Sequence, residues 1–324
     1  MMKEEKMKET KMIIPKLLRD GDVVAIIAPA GPVNAEKLVA GAEILRNAGL
    51  RVRIFESCFA RHEYLAGPDA LRLHDLHTAF ADPQIRAIFA ARGGYGSARL
   101  LPRINFNLIR NNPKIFAGYS DITALHIAFN QFAGLATFHA PMPAADLPNA
   151  DDATLQPFFE NLFLSSRPVF FSDTLPPSPK NFTETAQSAV SCSFFERGEL
   201  GGKLFLQKKF SPQGLKKVVI TGGNLTIITS LLGTPYEIDT RGKVLFLEEV
   251  GEAAYRADRM FLQLKLAGKL RDAAGFILGD FSGENIEFAV NEFLVPEGKP
   301  LVQNFPAGHC MPNFTLPLGI DIHT

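Results

Sequence analysis

The chain has 324 residues, 46% of them hydrophobic, and its 34 basic side chains cancel 34 acidic ones. That length and apolar content suffice for a sizeable core shared over two domains, and the balanced overall charge suggests neither a nucleic-acid footprint nor a polybasic membrane patch, leaving a small or neutral partner as the better fit. Cysteine occurs only at 58, 192 and 310, without CxxC spacing, which implies neither a disulfide framework nor a cysteine zinc site and makes a reducing compartment the default.

The opening "MMKEEKMKETKMIIPKLL" mixes both charge signs and lacks the apolar stretch of a secretory signal, so residues 1–20 read as a solvated extension. No run approaches the roughly 18 apolar residues of a membrane-spanning helix. A soluble, cytoplasmic protein is the expectation.

"VVAIIAP" (23–29) is a continuous apolar run of strand length. "NAEKLVAGAEILRNAG" (34–49) follows as a helix, opening on a capping asparagine and closing on a C′ glycine. The alternation repeats with "RVRIFE" (51–56) as strand, "DALRLHDLHTAFAD" (69–82) as helix, "IRAIFAA" (85–91) and "KIFAG" (114–118) as strands, and 121–130 as helix. Such alternation predicts a parallel sheet covered on both faces, an α/β domain over 21–165. The stretch 166–190, rich in proline, serine and threonine, reads as a linker. A second domain then spans 191–324. In it "GGNLTIITSLLG" (222–233) reads as a loop entering a helix, and "KVLFLEEV" (243–250) and "GFILGD" (275–280) as strands. Between those strands "RADRMFLQLKLAGKL" (256–270) is an amphipathic helix with Ala257, Met260, Phe261, Leu264 and Ala267 on one face.

Ser120 in "GYSD" falls at the turn between a strand and a helix. In an open parallel sheet that turn lies at the carboxyl ends of the strands, where ligands bind. A nucleophile there would have the unpaired N–H groups of a helix start beside it. Alternatively Ser120 or Asp121 simply caps the helix, and Ile122 replaces the second glycine of a G-x-S-x-G elbow. A serine nucleophile needs a base. His309, in the Gly- and Pro-rich loop "FPAGHCMPN", is the first choice; His139, ending the strand of "FHAPM", is the second. His126 points away from the first turn of its helix. His74 and His77 could form half of a metal site, but no further ligands stand at a recognisable spacing, and a solvated helix face is the simpler account. An orienting carboxylate could come from Glu248 or Glu249, of which only one can face a given cleft, unless both are strand-end surface charges. The loop "ARGGYGSARLL" (91–101) lacks the third glycine of a dinucleotide fingerprint and the Walker lysine. It could instead bring backbone N–H groups to an oxyanion, or form a tight turn.

Taken in order, "YLAG", "LHTAFADPQIRAIFAARGGYGSARLL", "NPKIFAGYSDITALH", "TFHAPM", "GGNLTIITSLLGTPYEIDTRGKVLFLEEVGEAAYRADRM" and "GHCMPNFTLPLG" resemble the S66-type serine peptidases. That family includes the L,D-carboxypeptidases and the microcin-immunity hydrolases. The resemblance implies an N-terminal parallel-sheet domain like that of class I glutamine amidotransferases and a smaller C-terminal α/β domain. It implies a Ser–His–Glu hydrolase without metal or cofactor, with Ser120 as nucleophile, Glu248 as the carboxylate and His309 as the base. The oxyanion hole would use the N–H groups of Asp121 and Gly94. The implied substrate is a murein tetrapeptide losing its terminal D-alanine in cell-wall recycling, and the implied assembly a homodimer. Arg92 is a candidate for the substrate's terminal carboxylate, unless it pairs with an acid of the chain itself, and His139 is a second candidate for the substrate cleft. "FHAPM" carries alanine where the family usually has glycine, and the sequence ends at Thr324, soon after "PLGI". The alternatives are an immunity-type hydrolase of peptidyl or aminoacyl nucleotides, for which this chain offers no tryptophan platform, and a non-catalytic muropeptide-binding protein.

Overall fold

Val23–Ile27 (β1) is buried at every position, the outcome expected of a strand covered on both faces. The computed structural model describes residues 12–163, 195–197, 204–206 and 217–323. The linker expected over 166–190 lies outside them. In the first half, β1 is followed by Arg51–Ile54 (β2), Ile85–Ala90 (β3), Ile115–Gly118 (β4) and Thr137–His139 (β5). All five run parallel, in the order β5-β4-β3-β1-β2. The helices between them are Ala35–Asn47 (α1), Asp69–Ala81 (α2), Phe106–Asn111 (α3) and Thr123–Ala128 (α4), with Asp152–Leu162 (α5) after β5. The Asn34 side chain caps α1 by accepting from Lys37 N at 2.9 Å, and Gly49 follows its end at φ 88°.

The second sheet contains Phe195–Arg197 (β6), Leu204–Leu206 (β7), Lys217–Asn224 (β8), Val244–Glu248 (β9), Gly275–Leu278 (β10), Leu301–Val302 (β11) and Asp321–His323 (β13). Their order is β11-β10-β9-β8-β13-β7-β6, with β8, β9, β10 and the edge strand β11 parallel. Leu225–Ser230 (α6) follows β8 directly, and Ala254–Leu266 (α7) covers the sheet with Ala257, Met260, Phe261 and Leu264. The chain is thus a two-domain α/β protein. One apolar core crosses the junction: Ile122, Leu125 and Phe129 of the first domain belong to the same buried cluster as Leu225, Ile228, Leu245 and Leu247 of the second.

Several expectations require correction. Residues 12–20 are not a free extension: Ile13 N donates to Gly134 O at 2.7 Å, Leu18 N donates to Leu162 O at 2.8 Å, and the Leu18 side chain is fully buried. The run of two or three apolar residues there is too short to show which neighbour covers them. Gly222 and Gly223 are not a loop but the end of β8. The helix expected over 121–130 is a 3-10 turn at Ser120–Ile122, then α4, then a π turn at Phe129–Ala133 closed by Gly134 in the left-handed region. Ala267, expected on the buried face, is the exposed C-cap of α7. Finally, Leu316–Leu318 (β12) crosses back from the C-terminal part of the chain and pairs antiparallel with β5 in the first sheet.

Candidate active site

Strand β4 ends at Gly118, and the chain turns sharply over Tyr119 into Ser120, which is held at φ 65°. A non-glycine residue in the left-handed region carries a conformational cost, and such positions cluster where function requires a side chain aimed out of a tight turn. The turn is fixed from behind. His126 Nε2 donates to Gly118 O at 2.8 Å, and Ala140 N donates to the same carbonyl at 3.1 Å.

The second domain supplies two more groups at the same corner. Glu248, the last residue of β9, is fully buried. Its Oε2 accepts from His309 Nδ1 at 2.7 Å, and His309 Nε2 lies 3.1 Å from Ser120 Oγ. A carboxylate can only accept at Nδ1, so a neutral His309 carries its proton there and presents Nε2 as an acceptor to the serine hydroxyl. Burial pulls the His309 pKa down, but the hydrogen bond and charge of Glu248, with the charges of Asp146 and Glu249, outweigh it and leave the pKa raised. Burial raises the pKa of Glu248 against the opposing pull of His309. Glycines make room for this pair: a Cβ on Gly308 would stand 2.8 Å from Glu248 Oε2, and one on Gly279 would stand 2.4 Å from Ala307 O. The His309 loop is pinned by Gly308 N donating to Asn313 Oδ1 at 3.1 Å and Asn313 N donating to Thr154 Oγ1 at 3.1 Å.

Glu249 faces the other side. It accepts from Asn224 Nδ2 at 3.1 Å, Thr226 N at 2.7 Å and Val250 N at 2.9 Å, fastening the start of α6. This division follows from strand alternation and separates the two adjacent acids by role.

The glycine loop presses on the serine turn. Gly93 O accepts from Gly31 N at 3.1 Å, and a Cβ on Gly93 would stand 2.9 Å from Ser120 Cβ and 3.4 Å from Asp121 N. Gly94 follows at φ 111°. Asp121 is buried; its Oδ2 accepts from Ser97 N at 2.8 Å and its carbonyl from Ser97 Oγ at 2.5 Å, tying loop to turn. Burial raises the Asp121 pKa against these hydrogen bonds. Arg92 is half-buried at the same loop, where Nη1 donates to Pro32 O at 3.2 Å; among the described residues it pairs with no acid.

His139 does not line a cleft, contrary to the sequence expectation. It is fully buried, its ring 5.4 Å from that of Tyr119 and 4.9 Å from that of Phe246, and burial holds its pKa well below the imidazole range. It packs behind the site because β5 is an internal strand, covered by β12 on its far edge. His74 and His77 are engaged locally, His77 Nε2 accepting from Asn105 N at 3.0 Å and His74 Nε2 lying 3.4 Å from Thr78 Oγ1. Among the described residues no group of three or more His, Cys, Asp or Glu could hold a metal ion.

Sequence reasoning missed the joint that carries the second domain to the first. A Cβ on Gly223 would stand 2.4 Å from Thr123 Oγ1, and one on Gly222 would stand 1.9 Å from Phe246 O. Thr123 Oγ1 accepts from Asn224 N at 3.0 Å. The paired glycines of "GGN" were the available signal. Tyr119 was also missed: its hydroxyl donates to Asp146 Oδ1 at 2.8 Å and its ring lies 4.9 Å from that of His309.

Residues 24–140 match the family model described as the LD-carboxypeptidase N-terminal domain, and residues 218–324 the LD-carboxypeptidase C-terminal domain. The "Probable murein peptide carboxypeptidase" of Bacillus subtilis (strain 168) is 39% identical over 314 residues, covering 94% of this chain and 89% of that protein. The crystal structure of muramoyltetrapeptide carboxypeptidase from Oxalobacter formigenes has a TM-score of 0.72 and 27% identity, covering 92% of this chain and 93% of that one. A mutant of the microcin C7 self immunity protein MccF in complex with adenosine monophosphate has a TM-score of 0.75 and 25% identity, covering 95% of this chain and 94% of that one. Both halves, joined around the corner where Ser120, His309 and Glu248 meet, place the chain in the LD-carboxypeptidase family of serine peptidases.

Proposed function

We propose that this protein is a serine-type L,D-carboxypeptidase that hydrolyses the terminal D-alanine amide of murein tetrapeptides. The observation that carries the reading is the unbroken hydrogen-bonded series from Ser120 Oγ through His309 to Glu248, assembled from two domains at one strand-to-helix corner. Ser120 Oγ attacks the scissile carbonyl as His309 Nε2 takes its proton, and Glu248 holds the imidazole tautomer and stabilises the cation. The N–H groups of Asp121 and Gly94 receive the oxyanion. His309 then protonates the leaving amine as the C–N bond breaks; water, deprotonated by the same imidazole, releases the peptide from Ser120. Arg92, with no acid to neutralise it among the described residues, suits the free terminal carboxylate. The names of the Bacillus and Oxalobacter relatives support the murein substrate. A cytoplasmic homodimer belongs to the same proposal on the family resemblance. No helix among the described residues is long and apolar enough to cross a membrane.

The test is product analysis by mass spectrometry on a panel of murein tri-, tetra- and pentapeptides. Release of D-alanine from the tetrapeptide by the wild type, and its loss in Ser120→Ala, is the expected result; a Ser120→Ala variant turning over at the wild-type rate refutes the assignment. A second reading, hydrolysis of a peptidyl or aminoacyl nucleotide, draws on the likeness to MccF bound to adenosine monophosphate. It also draws on Tyr64 and Tyr95, 62% and 51% exposed, whose rings lie 5.6 Å apart and could stack on a base. An aminoacyl-adenylate analogue in the same panel separates the two.

A further inference from the structure

Arg72 lies on α2 with no solvent exposure, among the largest buried side chains of the protein. A buried guanidinium is costly unless its charge and donors are matched, and replacing such an ion by apolar packing often leaves a fold as stable or more so. Its partners indicate what it holds. Nη2 bonds Asp69 Oδ1 at 2.5 Å, and Nη1 donates to Gly96 O at 2.9 Å and also to Pro29 O. Gly96 belongs to the glycine loop that presses on the Ser120 turn, and Pro29 to the loop that backs that glycine loop. Pro29 leads into Gly31, whose N–H holds Gly93 O, and Gly96 is followed by Ser97, which bonds Asp121 through both its N–H and its hydroxyl. Gly96 sits at φ 121°, and a Cβ there would stand 2.9 Å from Arg72 Nη1, so loop and guanidinium are fitted to each other.

We infer that Arg72, oriented by Asp69, is a positioning residue for the reaction: by gripping Pro29 O and Gly96 O it sets the Gly93–Gly94 backbone against the Ser120–Asp121 turn. It touches no substrate. The inference rests on the proposed placing of oxyanion donors at Gly94 and Asp121, and it assigns their alignment to a side chain on a helix outside both loops. The guanidinium's planar fork reaches two carbonyls and one carboxylate at once, a geometry lysine cannot reproduce.

The test compares wild type with Arg72→Met, Arg72→Lys and Asp69→Asn, each at a temperature well below its own unfolding transition. Lys114→Met serves as a control, because Lys114 is also a buried cation donating to two carbonyls, Asp82 O and Ile85 O, at the start of β3 away from the site. Two rates are read: tetrapeptide turnover, split into kcat and KM, and covalent labelling of Ser120 by a fluorophosphonate. The expected result for Arg72→Met is a fall of about a hundredfold in kcat and in labelling rate, with KM within about threefold, since loss of one oxyanion donor has that size. Arg72→Lys should recover only part, Asp69→Asn should lose less, and Lys114→Met should lower the melting temperature while leaving both rates unchanged. Wild-type labelling rates in the Arg72 variants overturn the inference, as does an equal loss in Lys114→Met. If Arg72→Met does not fold, Arg72→Lys and Asp69→Asn decide the matter, and wild-type rates in both overturn it. Labelling is independent of the natural peptide. A wild type that labels at Ser120 yet leaves tetrapeptide intact therefore counts against the proposed substrate and not against the role of Arg72.

Discussion

In the proposed mechanism His309 takes a proton from Ser120 only when its ring is neutral, and its environment sets the pH at which that happens. The Glu248 contact and neighbouring carboxylates raise its pKa above 6.5 despite burial. The neutral fraction therefore grows as pH rises through that elevated value, and the acid limb of kcat/KM should have its midpoint above 6.5 in a pH–rate profile. Glu248→Gln removes both the charge and the tautomer preference. Burial then dominates, so the limb should move to lower pH while the plateau falls by about 10⁴-fold; an unmoved limb would show that another group governs it. At Gly93 the constraint is steric. Gly93→Ala puts a methyl group 2.9 Å from Ser120 Cβ and 3.0 Å from its Oγ, and displacing the proposed nucleophile by such a contact should cost about a hundredfold in kcat. Measuring turnover and phosphonate labelling in the folded variant checks it.

At the scale of elements, β8 and α6 act as a joint. Gly222 and Gly223, at φ 132° and 139°, let β8 run against β9 and against Thr123 at closer range than any side chain allows. Asn224 then does three things: its N–H donates to Thr123 Oγ1, its Oδ1 caps α6 by accepting from Ile227 N, and its Nδ2 donates to buried Glu249. Asn224→Ala should cost about 2 kcal/mol or more, combining a lost N-cap with a buried carboxylate deprived of a donor. Chemical denaturation with the slope held constant measures this. The same change should reduce kcat, because α4 begins three residues after Ser120 and Thr123 is its first residue.

Across the whole molecule, the two domains are interlocked. β12 leaves the second domain to close the edge of the first sheet beside β5, whose His139 pairs in register with Leu316. β13 then returns at Asp321–His323 to pair with β8. Ending the chain after Thr315 strips the edge from β5 and a neighbour from β8, and removes the buried side chains of Leu316, Leu318, Ile320 and Ile322. Burial of such side chains is worth roughly 1.5–3 kcal/mol each, which together rivals the whole stability margin of most domains. The truncated chain should fail to give a cooperative melt, and should not label at Ser120.

The parallel sheet of the first domain and the ends of its helices were legible in the residues, because continuous apolar runs, Asn34 and Gly49 act within a few positions of themselves. Ser120 was marked as a strand-to-helix turn for the same reason, His309 stood out as first choice of base by its Gly- and Pro-rich loop, and the ordered family motifs singled out Glu248 from its neighbour Glu249. What sequence could not contain is which groups meet across long separations: His309 and Ser120 stand 189 positions apart, and Asn224 and Thr123 stand 101 apart. Such contacts depend on where two sheets dock, which no local period encodes. The burial of His139, the opposite roles of Glu248 and Glu249, the anchoring of residues 12–20 and the grip of Arg72 on two loops were all decided there, by close packing that leaves each side chain only one set of neighbours.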